Sequence, residues 1–342
     1  MKVIIFLLIF MLIIINNKPI IEKLTFNDPD FLELYPKYKL KINSFNTNLT
    51  YDNKYKLNYE DLNSKKCNQI VNNKNLTSKF LEKYNIPMPK YIKFERDIFN
   101  NLFSNNKFIK KVNTNLKYPL VVKPVSELQS KDVFINIQNS DKLRKIINKL
   151  KFKYNELKIE EFTEGKLYRI LIINSKIIDI LERPLPFVTG NGIKKIKELI
   201  EERNNNQLKH NKKTTHKIND NFLKSQNINL NHPVPKNKKI FITEVPSFFN
   251  GSNPIRIDID SVHQDNKNLF LKINDLVNAN ISGLDFISPD LKISYKNNNA
   301  KLIEINDSFS SYQIHKYAEP KKNITPEILE NIEKIYIKEF QL

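Results

Sequence analysis

Glycine is almost missing from this chain: there are five in 342 residues, Gly165, Gly190, Gly192, Gly251 and Gly283. Ordinary usage is about 7%, so each glycine that remains is expected where the backbone needs positive φ or a close approach. Cysteine is scarcer still. Cys67 alone excludes an intramolecular disulfide and any zinc-ligand spacing. Beside Lys65 and Lys66 a lowered thiol pKa is conceivable, but a half-buried structural thiol is the expectation. Tryptophan is absent while Lys, Asn and Ile dominate, a bias typical of an AT-rich genome and uninformative about fold. Apolar runs of membrane length are lacking too. Residues 3–15 are unbroken apolar, yet as a helix they reach only about 20 Å against a hydrocarbon core of about 30 Å. They read as an uncleaved anchor or a signal sequence without a small-x-small cleavage site, or else as a buried first element.

The net charge of +19 and the pI near 9.6 would attract nucleic acid, anionic lipid or polyanionic substrates. The lysines are spread along the chain instead of forming a tail, and no aromatic-rich RNA-binding signature accompanies them. No dedicated nucleic-acid partner is expected. At 342 residues and 40% apolar the chain can bury a core and suits two or three lobes around a cleft.

In Lys301-Leu302-Ile303-Glu304-Ile305-Asn306 apolar and polar residues alternate, which predicts a strand. Glu304 and Asn306 then leave the same face. A second strand, Ile281-Ser282-Gly283-Leu284-Asp285-Phe286-Ile287, can bring Asp285 beside them. Three hard oxygens on one rigid sheet suit magnesium, with room for water and phosphate oxygens. Taken alone, the alternation equally describes the wet face of a half-buried sheet. Upstream, Tyr118-Pro119-Leu120-Val121-Val122-Lys123-Pro124 is a short apolar run ending in a lysine. Leu157-Lys158-Ile159-Glu160-Glu161-Phe162 reads as a linker feeding a strand that carries Arg169. Glu182-Arg183-Pro184 and Val188-Thr189-Gly190-Asn191-Gly192 follow.

In this order the segments resemble the ATP-grasp ligases, most closely the branch of cyanophycin synthetase and the bifunctional glutathione-synthesising enzymes, from about residue 65 to 320. Asn73-Lys74-Asn75-Leu76-Thr77-Ser78-Lys79 resembles the family's Asp-Lys-x-x-Thr-Lys segment, and Ile86-Pro87-Met88-Pro89 its Val-Pro-x-Pro. Asn250-Gly251-Ser252, Asp258 and His263 are similar to its Thr-Gly-Gly, Asp-Val-Thr and Val-His run, and His315 to its histidine after the metal strand. The resemblance implies an α+β (α/β) ATP-grasp fold, two α+β lobes clasping ATP in a cleft. It implies ATP and Mg2+, or Mn2+, as cofactors, with Asp285, Glu304 and Asn306 as metal ligands. Lys74 and Lys123 would contact the nucleotide, and Glu160, Glu161 and Phe162 would form the hinge against adenine and ribose. Arg169 and Arg183 would be the catalytic arginines that steady an acyl phosphate.

One departure concerns glycine again. Where the family has a glycine-rich loop over the phosphates, this chain has Val125-Ser126-Glu127-Leu128-Gln129-Ser130-Lys131-Asp132-Val133. Ser130 and Lys131 can still donate hydrogen bonds there, while Glu127 and Asp132 bring negative charge. Asp307-Ser308-Phe309-Ser310 likewise replaces a Pro-Gly turn. The implied function is an ADP-forming carboxylate-amine ligase acting on small-molecule or peptide carboxylates and amines. The alternatives are a catalytically decayed nucleotide-binding or membrane-associated scaffold and, further off, a basic nucleic-acid-binding protein.

The expected layout is an apolar segment at 1–19, a polar region at 20–64 that is the remnant of a preceding domain, a first lobe at 65–165 and a second at 166–342. Residues 203–239, with His210, His216 and His232, read as solvated loop. Self-association is left open. The expected location is either the membrane, through the N-terminal segment with the catalytic part cytosolic, or the cytoplasm.

Overall fold

The computed structural model of the chain describes residues 35–38, 40–42, 48–51, 55–58, 62–96, 102–125, 131–209, 220–246, 251–307 and 312–341. The apolar segment 3–15 lies outside the described residues. Among those described, no helix is long and apolar enough to cross a membrane.

Strands of alternating polarity and strands that are apolar along most of their length build two antiparallel sheets. The larger has five strands in the order β12-β9-β8-β13-β14, where β8 is Lys166–Ile173, β9 Lys176–Glu182, β12 Ile255–Ile257, β13 Ile281–Ser288 and β14 Lys301–Asn306. One face of it carries Tyr168, Ile170, Ile172, Leu284 and Phe286. These pack on Leu269, Phe270, Ile273 and Val277, the apolar stripe of helix α7 (Gln264–Val277). The same core takes in Cys67, Val71 and Leu81 from α1 (Lys65–Val71) and α2 (Lys74–Glu82). Residues 65–82 therefore sit on this larger sheet. Cys67 is buried there, and burial pushes its thiol up to about 12, which leaves it a small apolar filler.

The opposite face is divided along its length. At one end Leu171, Ile173 and Ile281 lie beneath the closing helix α9 (Thr325–Glu339), which presents Ile328, Leu329, Ile332 and Tyr336. At the other end the same face carries Arg169, Asp285, Glu304 and Asn306.

The smaller sheet runs β4-β7-β5-β6, with β4 Tyr91–Glu95, β5 Leu120–Pro124, β6 Phe134–Ile137 and β7 Glu156–Glu161. It is backed by α3 (Leu102–Asn115) and α4 (Ser140–Leu150). Helix α4 starts where the Asn139 side chain accepts from the Lys142 N–H, and it buries Leu143, Ile146, Ile147 and Leu150. The stretch read as a linker is β7, an inner strand. Leu157 and Ile159 fill the core, and the alternate residues Lys158 and Glu160 are also buried, on the other face. Charges on both sides of Ile159 hid the strand from the sequence pattern.

Two further regions are more ordered than the sequence suggested. Strands β10 (Phe187–Thr189) and β11 (Lys239–Phe241), with α5 (Ile196–Lys209) and α6 (Asp220–Ser225), enclose Val188, Ile200, Leu223 and Ile240. Part of the expected loop 203–239 is thus helical, while His210 and His216 lie outside the described residues. Between residues 40 and 58, β1 (Leu40–Ile42), β2 (Asn48–Tyr51) and β3 (Tyr55–Asn58) form an antiparallel meander.

Asparagine does much of glycine's usual work. Seven asparagines, including Asn174, Asn278 and Asn299, hold positive φ. Glycine is kept where no side chain fits: a Cβ on Gly190 would lie 2.1 Å from the Pro235 carbonyl oxygen, and one on Gly165 2.7 Å from the Ser288 backbone.

Candidate functional site

The antiparallel register sets Asp285 directly opposite Glu304 on one side and Arg169 on the other, with Gly283 opposite Asn306. Directly paired residues share a face, so the three expected metal ligands and Arg169 converge. Asp285 is buried and held by two guanidiniums: Arg183 donates to Oδ2 at 2.9 Å, and Arg169 Nε lies 3.1 Å from Oδ1. That second pair lacks hydrogen-bond geometry, leaving Asp285 Oδ1 buried without a donor. Arg169 donates instead to the Gly283 carbonyl at 3.1 Å, and Asn306 Nδ2 reaches the same carbonyl at 3.3 Å. Burial pushes the Arg169 pKa below its ordinary value while Asp285 works to raise it.

Lys74 enters from helix α2. Asn73 caps that helix by accepting from the N–H groups of Asn75 and Leu76, which places Lys74 at the first helical position. Its ammonium is 3.0 Å from Glu304. Ser78, one turn on, lies on the same helix face and accepts from Lys158 of the smaller sheet at 2.7 Å. One helix face thus joins the Asp285–Glu304 cluster to a second cluster. There Lys123 and Lys158 flank Glu160, at 2.5 Å from Oε1 and 3.0 Å from Oε2. Burial works against the Glu160 carboxylate, but the two ammonium groups outweigh it and hold its pKa below the usual range. Sequence reasoning named Lys123 and Glu160 but not Lys158. The i, i+2 spacing of Lys158 and Glu160 was the available signal, lost once the segment was read as a linker.

The other candidates are placed as follows. The Glu161 N–H donates to the Lys90 carbonyl and the Phe162 N–H to that of Pro119, both at 2.9 Å, so neither hinge N–H is free. Glu161 Oε1 accepts from the Lys117 N–H at 2.9 Å. Lys131 lies in the turn before β6, and Ser130 falls outside the described residues. Asp132, in the left-handed region at φ 52, accepts from Lys153 and Tyr154, so its charge is already paired. Asp258 and His263 act as helix caps. The shallow groove along α7, lined by Asn268, Leu271 and Lys272, contains none of the candidate groups.

Among the described residues no three His, Cys, Asp or Glu side chains converge on a metal. The set is two carboxylates and the Asn306 amide. These oxygens nevertheless fit a hard divalent cation: they share one face of a rigid sheet, and Asp285 Oδ1 is buried with no donor.

Further along the same sheet face lies a buried polar network. His315, on α8 (Tyr312–Lys316), is fully buried, and its Nδ1 meets Asp179 Oδ2 at 2.9 Å. Arg256 binds both Asp179 oxygens at 3.0 and 3.1 Å and donates to the His315 carbonyl at 2.7 Å. Burial lowers the His315 pKa; Asp179 raises it, and Arg169 and Arg256 lower it further. The unfolded imidazole titrates near 6.5, so the folded protein binds fewer protons than the unfolded chain below that pH. Stability should therefore be full above about pH 6.5 and fall as the pH drops toward the lowered folded value. Urea unfolding between pH 7.5 and 5 should show this slope in the wild type and a weaker one in His315→Gln. Equal slopes would mean that other groups carry the acid sensitivity.

A family model described as "D-ala D-ala ligase C-terminus" matches residues 80–225. The cyanophycin synthetase of Synechocystis sp. is 24% identical over 199 residues, 55% of this chain and 23% of that protein. The glutathione biosynthesis bifunctional protein GshAB of Clostridium perfringens is 33% identical over 156 residues, 43% of this chain and 20% of that protein. This chain therefore matches less than a quarter of the length of either relative. The crystal structure of a bifunctional glutathione synthetase from Pasteurella multocida covers 87% of this chain and 41% of its own, with a TM-score of 0.57 at 20% identity. Residues 80–225 are thus similar to the D-ala D-ala ligase C-terminus model, and the two antiparallel lobes joined through α2 share the ATP-grasp fold.

Proposed function

We propose that this chain is an ATP-dependent, ADP-forming carboxylate-amine ligase that makes an amide or peptide bond through an acyl phosphate. The observation that carries this reading is the single polar face on which Asp285, Glu304 and Asn306 meet Arg169, Arg183 and Lys74. Through α2 it is joined to the Lys123–Glu160–Lys158 cluster. Phosphoryl transfer needs positioning and charge neutralisation more than covalent help from the protein. Asp285, Glu304 and Asn306 would hold Mg2+, or Mn2+, which supplies charge neutralisation at the phosphates. Lys74, paired with Glu304, and Lys123, paired with Glu160, would contribute ammonium groups to the phosphates. Arg169 and Arg183, fixed by Asp285, offer buried guanidiniums to an oxyanion such as an acyl phosphate. The substrates would be a small-molecule or peptide carboxylate and an amine, by analogy with the named relatives.

The glycine-free segment 125–133 favours one rival, a nucleotide-binding protein without turnover. ATP with magnesium is expected to stabilise the protein against thermal unfolding, by about 2.7 kcal/mol at a hundredfold excess over Kd. No shift with ATP, beside a large shift with an oligonucleotide, would overturn the nucleotide reading. Among ATP-binding outcomes, ADP release across a panel of carboxylate and amine pairs separates ligase from scaffold.

A further inference from the structure

Lys158 is only 2% exposed, and an ammonium is costly to bury unless it is well partnered. Its partners are Ser78 Oγ, which accepts at 2.7 Å, Glu160 Oε2, an ion pair at 3.0 Å without hydrogen-bond geometry, and the Tyr91 ring, whose centroid is 4.7 Å away. A methionine would fill the same volume at lower desolvation cost, so packing alone does not explain a lysine here. The arithmetic of charge does. Lys123 and Glu160, 2.5 Å apart, would cancel each other and leave nothing for an incoming anion. With Lys158 on the other oxygen of the same carboxylate, the trio carries one net positive charge.

We propose that Lys158 is a positioning residue of the nucleotide cleft, which takes up the charge of Glu160 and thereby leaves Lys123 with a positive charge to offer to phosphate. This rests on the nucleotide-binding reading above and adds a residue to it. Lys158 need not touch the ligand, in keeping with its burial. Its contact with Ser78 on α2 also holds the lysine at a fixed distance from the Glu304 cluster, whose Lys74 stands one turn earlier on that helix.

The test compares ATP with adenosine by calorimetric titration at fixed magnesium, so that changes in the base and ribose contacts divide out. Lys158→Met makes the remaining pair neutral and should lower the ratio of ATP to adenosine affinity by about tenfold or more. Lys158→Met combined with Glu160→Gln again leaves one net positive charge, on Lys123, and should recover most of that ratio. A purely structural tie predicts the reverse, a double variant no better than the single one. The proposal is overturned if Lys158→Met keeps the wild-type ratio, if ATP and adenosine weaken together, or if the double variant does not recover. A wild-type protein that binds neither ligand would overturn the nucleotide reading itself, and this inference with it.

Discussion

Asp285→Ala is expected to cost about 3–5 kcal/mol of folding stability, the usual cost of removing one partner from a buried ion pair. Asp285 sits between Arg169 and Arg183, and all three side chains are at most 10% exposed. Removing the carboxylate leaves two guanidiniums close together in a site that water reaches poorly. The same change should abolish turnover and the magnesium dependence of nucleotide binding, because Asp285 Oδ1 is a buried carboxylate oxygen without a hydrogen-bond donor, on the face shared with Glu304 and Asn306. Urea unfolding of the metal-free protein isolates the first effect. A loss below about 1 kcal/mol would mean that both arginines find other partners, and Asp285 would no longer count as the organising anion of the site.

Glu304→Gln should separate function from stability. The Glu304 side chain is 24% exposed and Lys74, its partner, 10%, and glutamine keeps a carbonyl oxygen for the ammonium, so the loss should stay within about 1 kcal/mol. Repulsion between Asp285 and Glu304 would make the variant more stable if the two carboxylates faced each other bare. They do not, since Arg169 and Arg183 hold one and Lys74 the other, so metal-free stability should barely change. The magnesium-dependent part of ATP affinity should be lost nonetheless, because an amide replaces an anion at the proposed dication site. Calorimetric titration of ATP with and without magnesium, in both proteins, measures this. Equal magnesium dependence would remove Glu304 from the ligand set and take away the main support for the ligase.

The sequence by itself determined the elements whose local pattern agrees with their environment. Strand β14 alternates, β8 is an apolar run around one arginine, and α4 and α9 have apolar stripes at helical spacing. Glu304 and Asn306 were legible because i and i+2 in a strand must share a face. Their meeting with Asp285 was a matter of register, and only strand pairing fixed it. The hidden elements were those whose pattern opposes their burial. Strand β7 carries Lys158 and Glu160 on a buried face, affordable because Lys123 and Ser78, distant in sequence, complete the set. The positive-φ turns were hidden as well, since asparagine occupies positions where glycine was sought. Above all, tertiary structure decided how the charges pair. Lys74 with Glu304, the two arginines with Asp285, and Lys158 with Glu160 are contacts between separate elements. No local rule could assign them, because an ion pair depends on where the chain returns in space and not on the spacing of its residues.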